Sequence, residues 1–400
     1  MDLVVARPEG LYCPAGDFFI DPWRPVERAV ITHAHSDHAR VGHGRYLATR
    51  AGECVLRARL GDIDLQTLEY GERIDHRGVR LSLHPAGHVL GSAQVRLEAG
   101  GEVWVASGDY KVEADRTCQP FEPVRCDTFI TESTFGLPIY RWTPPRQVFD
   151  DIDAWWRTNA EAGRVSVLFC YAFGKAQRIL GGVDSNIGPI ICHGAVASLN
   201  EAYRASGVEL PPTWQVGDVT EPARLRRSLV LAPPSAAGSS WMRRFGDYSD
   251  AFASGWMRVR GARRRRGHDR GFVLSDHADW PGLLSAIGAT GAQRIRVTHG
   301  SVPTMVRWLT EQGYDAQGFV TEFGDDEALE ASDAATSTDA PSTIGPAAPT
   351  AEAEAEAETE AKAKAKAKAK AKAKAKAKAQ AVADAEAEAE ARQPRDAGRR

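Results

Sequence analysis

The chain lacks any stretch near the roughly 18 consecutive apolar residues that a membrane-crossing helix requires. Residues 1–10 include Asp2, Arg7, Pro8 and Glu9 where a secretory signal would hold a long apolar run, so no such signal is expected. Cysteine is sparse. Six are scattered through 400 residues and none forms a CxxC pair, which excludes a thiolate zinc finger and a dense disulfide framework. The expectation is a reduced, cytoplasmic protein. Lysine is nearly missing from residues 1–324, where Lys111 and Lys175 accompany 35 arginines. A large net charge is missing too. Residues 325–400 carry 16 acidic and 13 basic side chains, which leaves 37 of each in residues 1–324. The formal total of −3 excludes a uniformly basic protein, so any nucleic-acid contact must come from a local patch.

Residues 325–400 hold charge in blocks: acidic at 352–360, basic at 362–378, acidic again at 384–390, each alternating with alanine. Alanine, glutamate and lysine favour helix locally. A two-residue spacing, however, spreads charge around every side of a helix and leaves no apolar face to dock. This tail is expected to be solvated, and disordered or transiently helical. A sharper reading has its nine lysines touch DNA phosphates or fold against the acidic blocks. The folded part is then residues 1–324, long enough for about two domains and a large apolar core.

Within that part, Ala29-Val30-Ile31 is a short β-like run. It is followed by Thr32-His33-Ala34-His35-Ser36-Asp37-His38, an HxHxDH motif with four potential ligands in six residues. The pattern recurs. Residues 79–83 alternate apolar and polar and lead into Ala86-Gly87-His88. Val103-Trp104-Val105 leads into Ser107-Gly108-Asp109-Tyr110, and Phe129-Ile130 into Thr131-Glu132-Ser133-Thr134. Phe272-Val273-Leu274 leads into Ser275-Asp276-His277-Ala278-Asp279, and Ile295-Arg296-Val297 into Thr298-His299-Gly300. Six times a buried-type strand delivers a His, Asp or Glu to its C-terminal loop. Strands lying side by side would bring those loops to one sheet edge.

Imidazole and carboxylate together suit zinc, manganese or iron(II). A lone histidine is usually a structural residue. Packing the HxHxDH side chains without an ion would instead cost several kcal/mol for each unpaired group. Ala34, Ser36, Gly87, Gly108 and Gly300 are small neighbours expected to let the backbone approach the ions. His43, His76, His84, His193 and His268 lack this context and are read as structural, with His193 and His268, near polar loops, left open.

These motifs resemble the metallo-β-lactamase superfamily and, more narrowly, its nucleic-acid-processing β-CASP branch. HxHxDH alone indicates only the superfamily. The branch is marked by Glu132 in TEST, His277 in SDHAD and His299 in THG. Ala172-Phe173-Gly174-Lys175-Ala176-Gln177-Arg178 resembles the branch's "LGRAQ" helix start, and Ala253-Ser254-Gly255-Trp256-Met257 its "SSGM" segment. The resemblance covers most of residues 12–324. It is nearest to the compact bacterial ligase-associated DNA exonucleases, through the compact insert, Ala232-Pro233-Pro234-Ser235 and the SDHADW run. His299 points the other way, because RNA-processing members carry histidine there while the crosslink-repair and Artemis-type DNA nucleases carry valine.

The resemblance implies an α/β fold: a metallo-β-lactamase αββα sandwich in residues 1–140 and 271–324, with a β-CASP insert at 141–270 and the tail at 325–400. It implies two divalent ions, zinc with manganese as the alternative. His33, His35 and His88 hold one, Asp37, His38 and His299 the other, and Asp109 bridges them. Asp21 supports the ligand loop as an outer carboxylate. Two ions that share a water lower its pKa and clamp an in-line displacement at phosphorus. His277 then protonates the departing 3′-oxygen, with Glu132 orienting it, a role that contributes about 10²–10⁴-fold.

Arg258, Arg260, Arg263, Arg264, Arg265, Arg266 and Arg270 form a stripe that either grips phosphates or is a solvated basic loop. Trp241 and Trp256 read as packing residues before base-stacking ones. The implied activity is a DNA exonuclease acting on single-stranded or frayed ends, with a DNA ligase and a helicase as functional partners. An RNA-processing nuclease is the alternative. A small-molecule metallo-hydrolase and a binding protein with a dead site rank behind both.

Overall fold

The computed structural model describes residues 2–259 and 267–319. Arg260, Arg263, Arg264, Arg265, Arg266 and the tail at 325–400 lie outside the described residues. Among those described, the chain is a mixed α/β protein with sheets of six, seven and five strands.

The six-stranded sheet runs in sequence order through Val5–Arg7, Gly10–Cys13, Phe18–Ile20, Arg28–Val30, Arg45–Thr49 and Leu65–Leu68. In the seven-stranded sheet the order is Asp315–Gly318, Arg294–Thr298, Thr128–Glu132, Glu102–Ala106, Ala93–Ala99, Val79–Pro85 and Arg73–His76. Its first four strands are mutually parallel, and the remainder pair antiparallel. The two sheets share one apolar layer, in which Leu11, Ile20 and Val30 of the first meet Leu81, Val95 and Ile130 of the second. Outside the six-stranded sheet lies the helix Glu53–Leu60, through Val55 and Leu56. The helices Trp280–Thr290 and Val302–Glu311 cover the far side of the seven-stranded sheet through Leu283, Ile287, Met305 and Leu309.

The five-stranded sheet is parallel throughout, in the order Ile190–Cys192, Leu229–Ala232, Val165–Phe169, Tyr248–Ala253 and Arg270–Phe272. Its middle strand, Val-Ser-Val-Leu-Phe, is buried at every position, because parallel strands are covered on both faces. One cover is the helix Pro145–Glu161, whose Val148, Ile152, Trp155 and Trp156 fall on one stripe. This helix and the strand Tyr248–Ala253 were not legible in the motifs. The expected segment boundary at 270/271 falls inside the edge strand Arg270–Phe272.

The expected side-by-side row of ligand strands needs correction. Four of the six lie in the seven-stranded sheet, whereas Arg28–Val30 belongs to the six-stranded sheet and Arg270–Phe272 to the five-stranded one. The motif loops therefore meet where three sheets adjoin. Among the described residues, no helix is long and apolar enough to cross a membrane. All six cysteines are free, with no disulfide between them.

Candidate metal centre

The carboxylate of Asp109, carried just beyond the strand Glu102–Ala106, is the hub. Its Oδ2 lies 3.4 Å from His33 Nε2, 3.3 Å from His38 Nε2 and 3.8 Å from His88 Nε2. Three donor sets share it: with His33, His35 and His88; with Asp37 and His38; and with Glu132 and His277. The His33 ring centroid stands 4.8 Å from that of His35, 4.0 Å from His38 and 4.7 Å from His88. His299 is not in these sets. Its ring lies 5.6 Å from that of His38, and with Asp37, His38 and Asp21 it lines one small hollow.

The outward ring nitrogens are engaged. His38 Nδ1 donates to Asp21 Oδ2 at 2.7 Å, His88 Nδ1 to the Asp276 carbonyl at 2.8 Å, and His35 Nε2 to the Phe173 carbonyl at 3.3 Å. His33 Nδ1 and His299 Nδ1 donate at 3.1 Å to the hydroxyls of the preceding Thr32 and Thr298. Those hydroxyls pass their own protons on, to Asp21 Oδ2 and to the Thr131 carbonyl. An N–H committed outward leaves the other ring nitrogen as a lone-pair donor. Thr32 and Thr298 were not singled out in the sequence. The repeated Thr-His pair in THAH and THG is the signal that could have found them.

Local backbone strain marks the same place. Asp21 and His299 adopt φ values of 43° and 48°, in the left-handed region. Such residues cost about 1–3 kcal/mol each and persist where surrounding contacts hold them. Asp21 is held by the Thr32 amide at 2.7 Å, and His299 by the hydroxyl of Ser133 on its carbonyl. The glycines act differently from expectation. A Cβ at Gly87 would stand 2.3 Å from the Lys111 carbonyl oxygen, and one at Gly300 2.3 Å from that of Ser133. They admit neighbouring backbone, and so bring the motif loops together.

Protonation follows from this crowding. Burial, with the charge of neighbouring imidazoles, holds His33 and His88 well below the ordinary histidine range. Burial opposes charge on Asp37 and Asp109 also, yet His38 beside them holds both carboxyls low. His38 is itself raised, against burial, by Asp109, Asp37 and Asp21. His33 and His88, neutral beside the ionised Asp37 and Asp109, are in the forms that ligate cations, and His38 would release its Nε2 proton as a cation binds.

The donors fit a divalent ion. About 3.3–3.4 Å separates two donors that each stand ~2.0–2.1 Å from one tetrahedral zinc. The Asp109 contacts to His38 and His33, at 3.3 and 3.4 Å, match that spacing. His33 Nε2 is buried without a hydrogen-bond partner, an orphan that a cation would satisfy.

Glu132 ends the strand Thr128–Glu132 and is fully buried. Its Oε1 accepts from the Tyr110 amide at 2.8 Å, and its Oε2 accepts from His277 Nδ1 at 2.9 Å. It caps no helix. Burial disfavours the charged His277 ring, but Glu132 and then Asp109 outweigh it and raise the group to about 10.

No family model matches the sequence. A protein of Opitutus terrae named "Probable DNA ligase" is 33% identical over 325 residues, which cover 80% of this chain and 31% of that protein. Endoribonuclease YSH1 of Yarrowia lipolytica is 31% identical over 118 residues, 29% of this chain and 14% of that one. Cleavage and polyadenylation specificity factor 73 of Drosophila melanogaster is 30% identical over 179 residues, 42% of this chain and 26% of that one. The chain is a relative of the β-CASP nucleases of the metallo-β-lactamase superfamily. It spans less than a third of the length of each of these relatives.

Other singled-out residues of this β-CASP relative belong to none of the Asp109 donor sets. Arg258 and Arg270 are exposed, and Arg270 lies 5.1 Å over the Phe272 ring. Trp256 packs on Phe135, and Trp241 on His193 and Phe245. His268 pairs with Asp250 at 2.7 Å, and His43 Nδ1 accepts from the Val26 amide at 3.3 Å.

Proposed function

We propose that this chain is a metal-dependent phosphodiesterase that shortens DNA from its ends, an exonuclease of DNA repair working beside a DNA ligase and a helicase. The observation that carries the hydrolase reading is the Glu132–His277 pair set against the same carboxylate that His33, His38 and His88 surround. His33, His35, His88 and Asp109 would hold one ion, and Asp37, His38, His299 and Asp109 a second, zinc with manganese as the alternative. When bound, these ions supply Lewis acidity toward a phosphodiester and a lowered pKa for water.

The chain's own residues do the rest. Asp21, Thr32 and Thr298 fix the tautomers of His38, His33 and His299. Glu132 takes the Nδ1 proton of His277 in a hydrogen bond, so the charged ring keeps its second proton, on Nε2, for a departing 3′-oxygen. We read the six- and seven-stranded sheets with their outer helices as the lactamase-type sandwich, and the parallel five-stranded sheet as the inserted β-CASP cap. A cap beside the metal face suits a single or frayed strand better than a full duplex. The ligase-named relative, of which this chain matches only a segment, supports a shared task with strand joining.

RNA is the second reading. The endoribonuclease and polyadenylation names among the relatives favour it, as does a histidine at position 299 beside His38. The deciding assay uses end-labelled single-stranded DNA and RNA of matched sequence, with zinc or manganese. DNA laddering that disappears in His35→Ala and His277→Ala is the expected result, and cleavage of RNA alone would overturn the DNA reading. A separate prediction concerns Asp21. Asp21→Ala is expected to weaken metal retention by about 10–100-fold, measured by competition with a chelator. Wild-type retention would mean that its bonds to His38 and Thr32 do not tune the ligands.

A further inference from the structure

The helix Lys175–Gly182 begins with two cations in its first turn, where the helix dipole disfavours positive charge. Both are buried. Lys175 Nζ lies 2.9 Å from Asp276 Oδ1, with the two side chains 4% and 3% exposed, and 4.6 Å over the Tyr171 ring. Arg178 Nε lies 2.6 Å from Asp115 Oδ2. Its two Nη atoms donate to the carbonyls of Ser275 at 2.6 Å and His88 at 3.5 Å. One helix start thus grips the segment 275–277 through side chain and main chain, and the His88 loop through main chain. Asp276 also faces the centre directly, because its carbonyl accepts the His88 Nδ1 proton and the next residue is His277.

A buried ion pair is poor evidence of stability, since apolar residues of similar volume often hold a structure as well or better. Glue alone therefore does not account for a lysine and an arginine buried here. We propose that Lys175 and Arg178 are positioning residues, which set the 275–277 segment so that the Asp276 carbonyl orients His88 while His277 reaches Glu132. The inference rests on the metal-dependent reading of the site. It gives this helix, in the five-stranded-sheet part of the chain, a direct share in building the centre.

The test compares Lys175→Met, Lys175→Arg and the paired Lys175→Met/Asp276→Leu in the full chain. Three quantities are read: thermal midpoint, zinc retention against a chelator without substrate, and kcat and KM on the nucleic acid that the wild type cleaves. Lys175→Met is expected to lose about 10–100-fold in zinc retention, and Lys175→Arg to recover most of it. The paired variant is expected to regain the wild-type melting temperature but stay about 10-fold or more down in zinc retention and kcat, with KM little changed. A paired variant that matches wild type in both melting temperature and zinc retention overturns the proposal. Zinc retention is read without substrate, so a wild-type protein that cleaves nothing would fail the nuclease reading and leave this result legible.

Discussion

Replacing His277 by alanine is expected to lower kcat by about 10²–10⁴-fold while leaving the bound zinc in place. The reasoning is geometric. His277 Nδ1 is committed to Glu132, and its ring stands 4.6 Å from that of His88, beside the Asp109 hub. An alkoxide leaves poorly without a proton, and this ring is charged over the neutral range, because Glu132 and Asp109 together overcome the effect of burial. Metal stoichiometry by plasma mass spectrometry separates this role from ligation. A variant that loses zinc along with activity would make His277 a ligand.

The pH dependence supplies a second check. A histidine raised from 6.5 to about 10 contributes stability that is complete below pH about 6.5 and lost as the pH climbs through about 10. In the ion-free protein, Glu132→Gln should therefore lower the melting temperature near neutrality and cease to matter above about pH 10. In turnover the same change should move the alkaline limb of kcat to lower pH. An unmoved limb would separate Glu132 from the proton transfer.

Much of this centre was legible because its chemistry is local in sequence. HxHxDH puts four donors in six residues, and the other donors follow short apolar runs that fold as strands, except the run ahead of His277, where the strand ends at Phe272 and Val273-Leu274 lie beyond it. The support around them was less legible, because it depends on folding contacts. Asp21 reaches His38 across 17 residues, Asp276 reaches His88 across 188, and Glu132 reaches His277 across 145. Family resemblance suggested the first and last of these. The Asp276 carbonyl carries no residue-type signal at all, since any amino acid offers one.

The fold divides in the same way. Apolar runs such as residues 79–83 and 103–105 lie in strands, and the central parallel strand Val165–Phe169, covered on both faces, is apolar at all but Ser166. Sheet membership was another matter. The run ahead of SDHAD and the run ahead of HxHxDH look alike, yet they enter different sheets. Pairing is decided by partners far along the chain, such as Ala251 with Arg270 and Ala29 with Tyr46. The helix Pro145–Glu161 went unread because its polar face interrupts the apolar stripe, leaving no continuous run to notice.

Asp109→Asn is expected to abolish measurable hydrolysis and to reduce zinc to less than one equivalent per chain, a larger loss than at any single histidine. Every donor set among the described residues includes Asp109. An amide offers one neutral oxygen where the carboxylate offers two charged ones. The ion-free protein gives an independent reading. Burial opposes charge on Asp109, but His38 and then His277 hold its carboxyl below the ordinary 3.8, so the net balance favours the ion. That contribution is present above pH about 3.8 and lost as the pH falls through the depressed value. The matching contribution of His38, raised above 6.5, is complete below pH about 6.5 and fades as the pH rises through its raised value. Both hold together between about pH 4 and 6.5, so the melting-temperature deficit of ion-free Asp109→Asn should be greatest there and shrink on either side. A deficit independent of pH would mean that Asp109 acts in the apo-protein by packing and not by its charge. An Asp109→Asn protein that still holds two zinc ions would show that the carboxylate does not join the two donor sets.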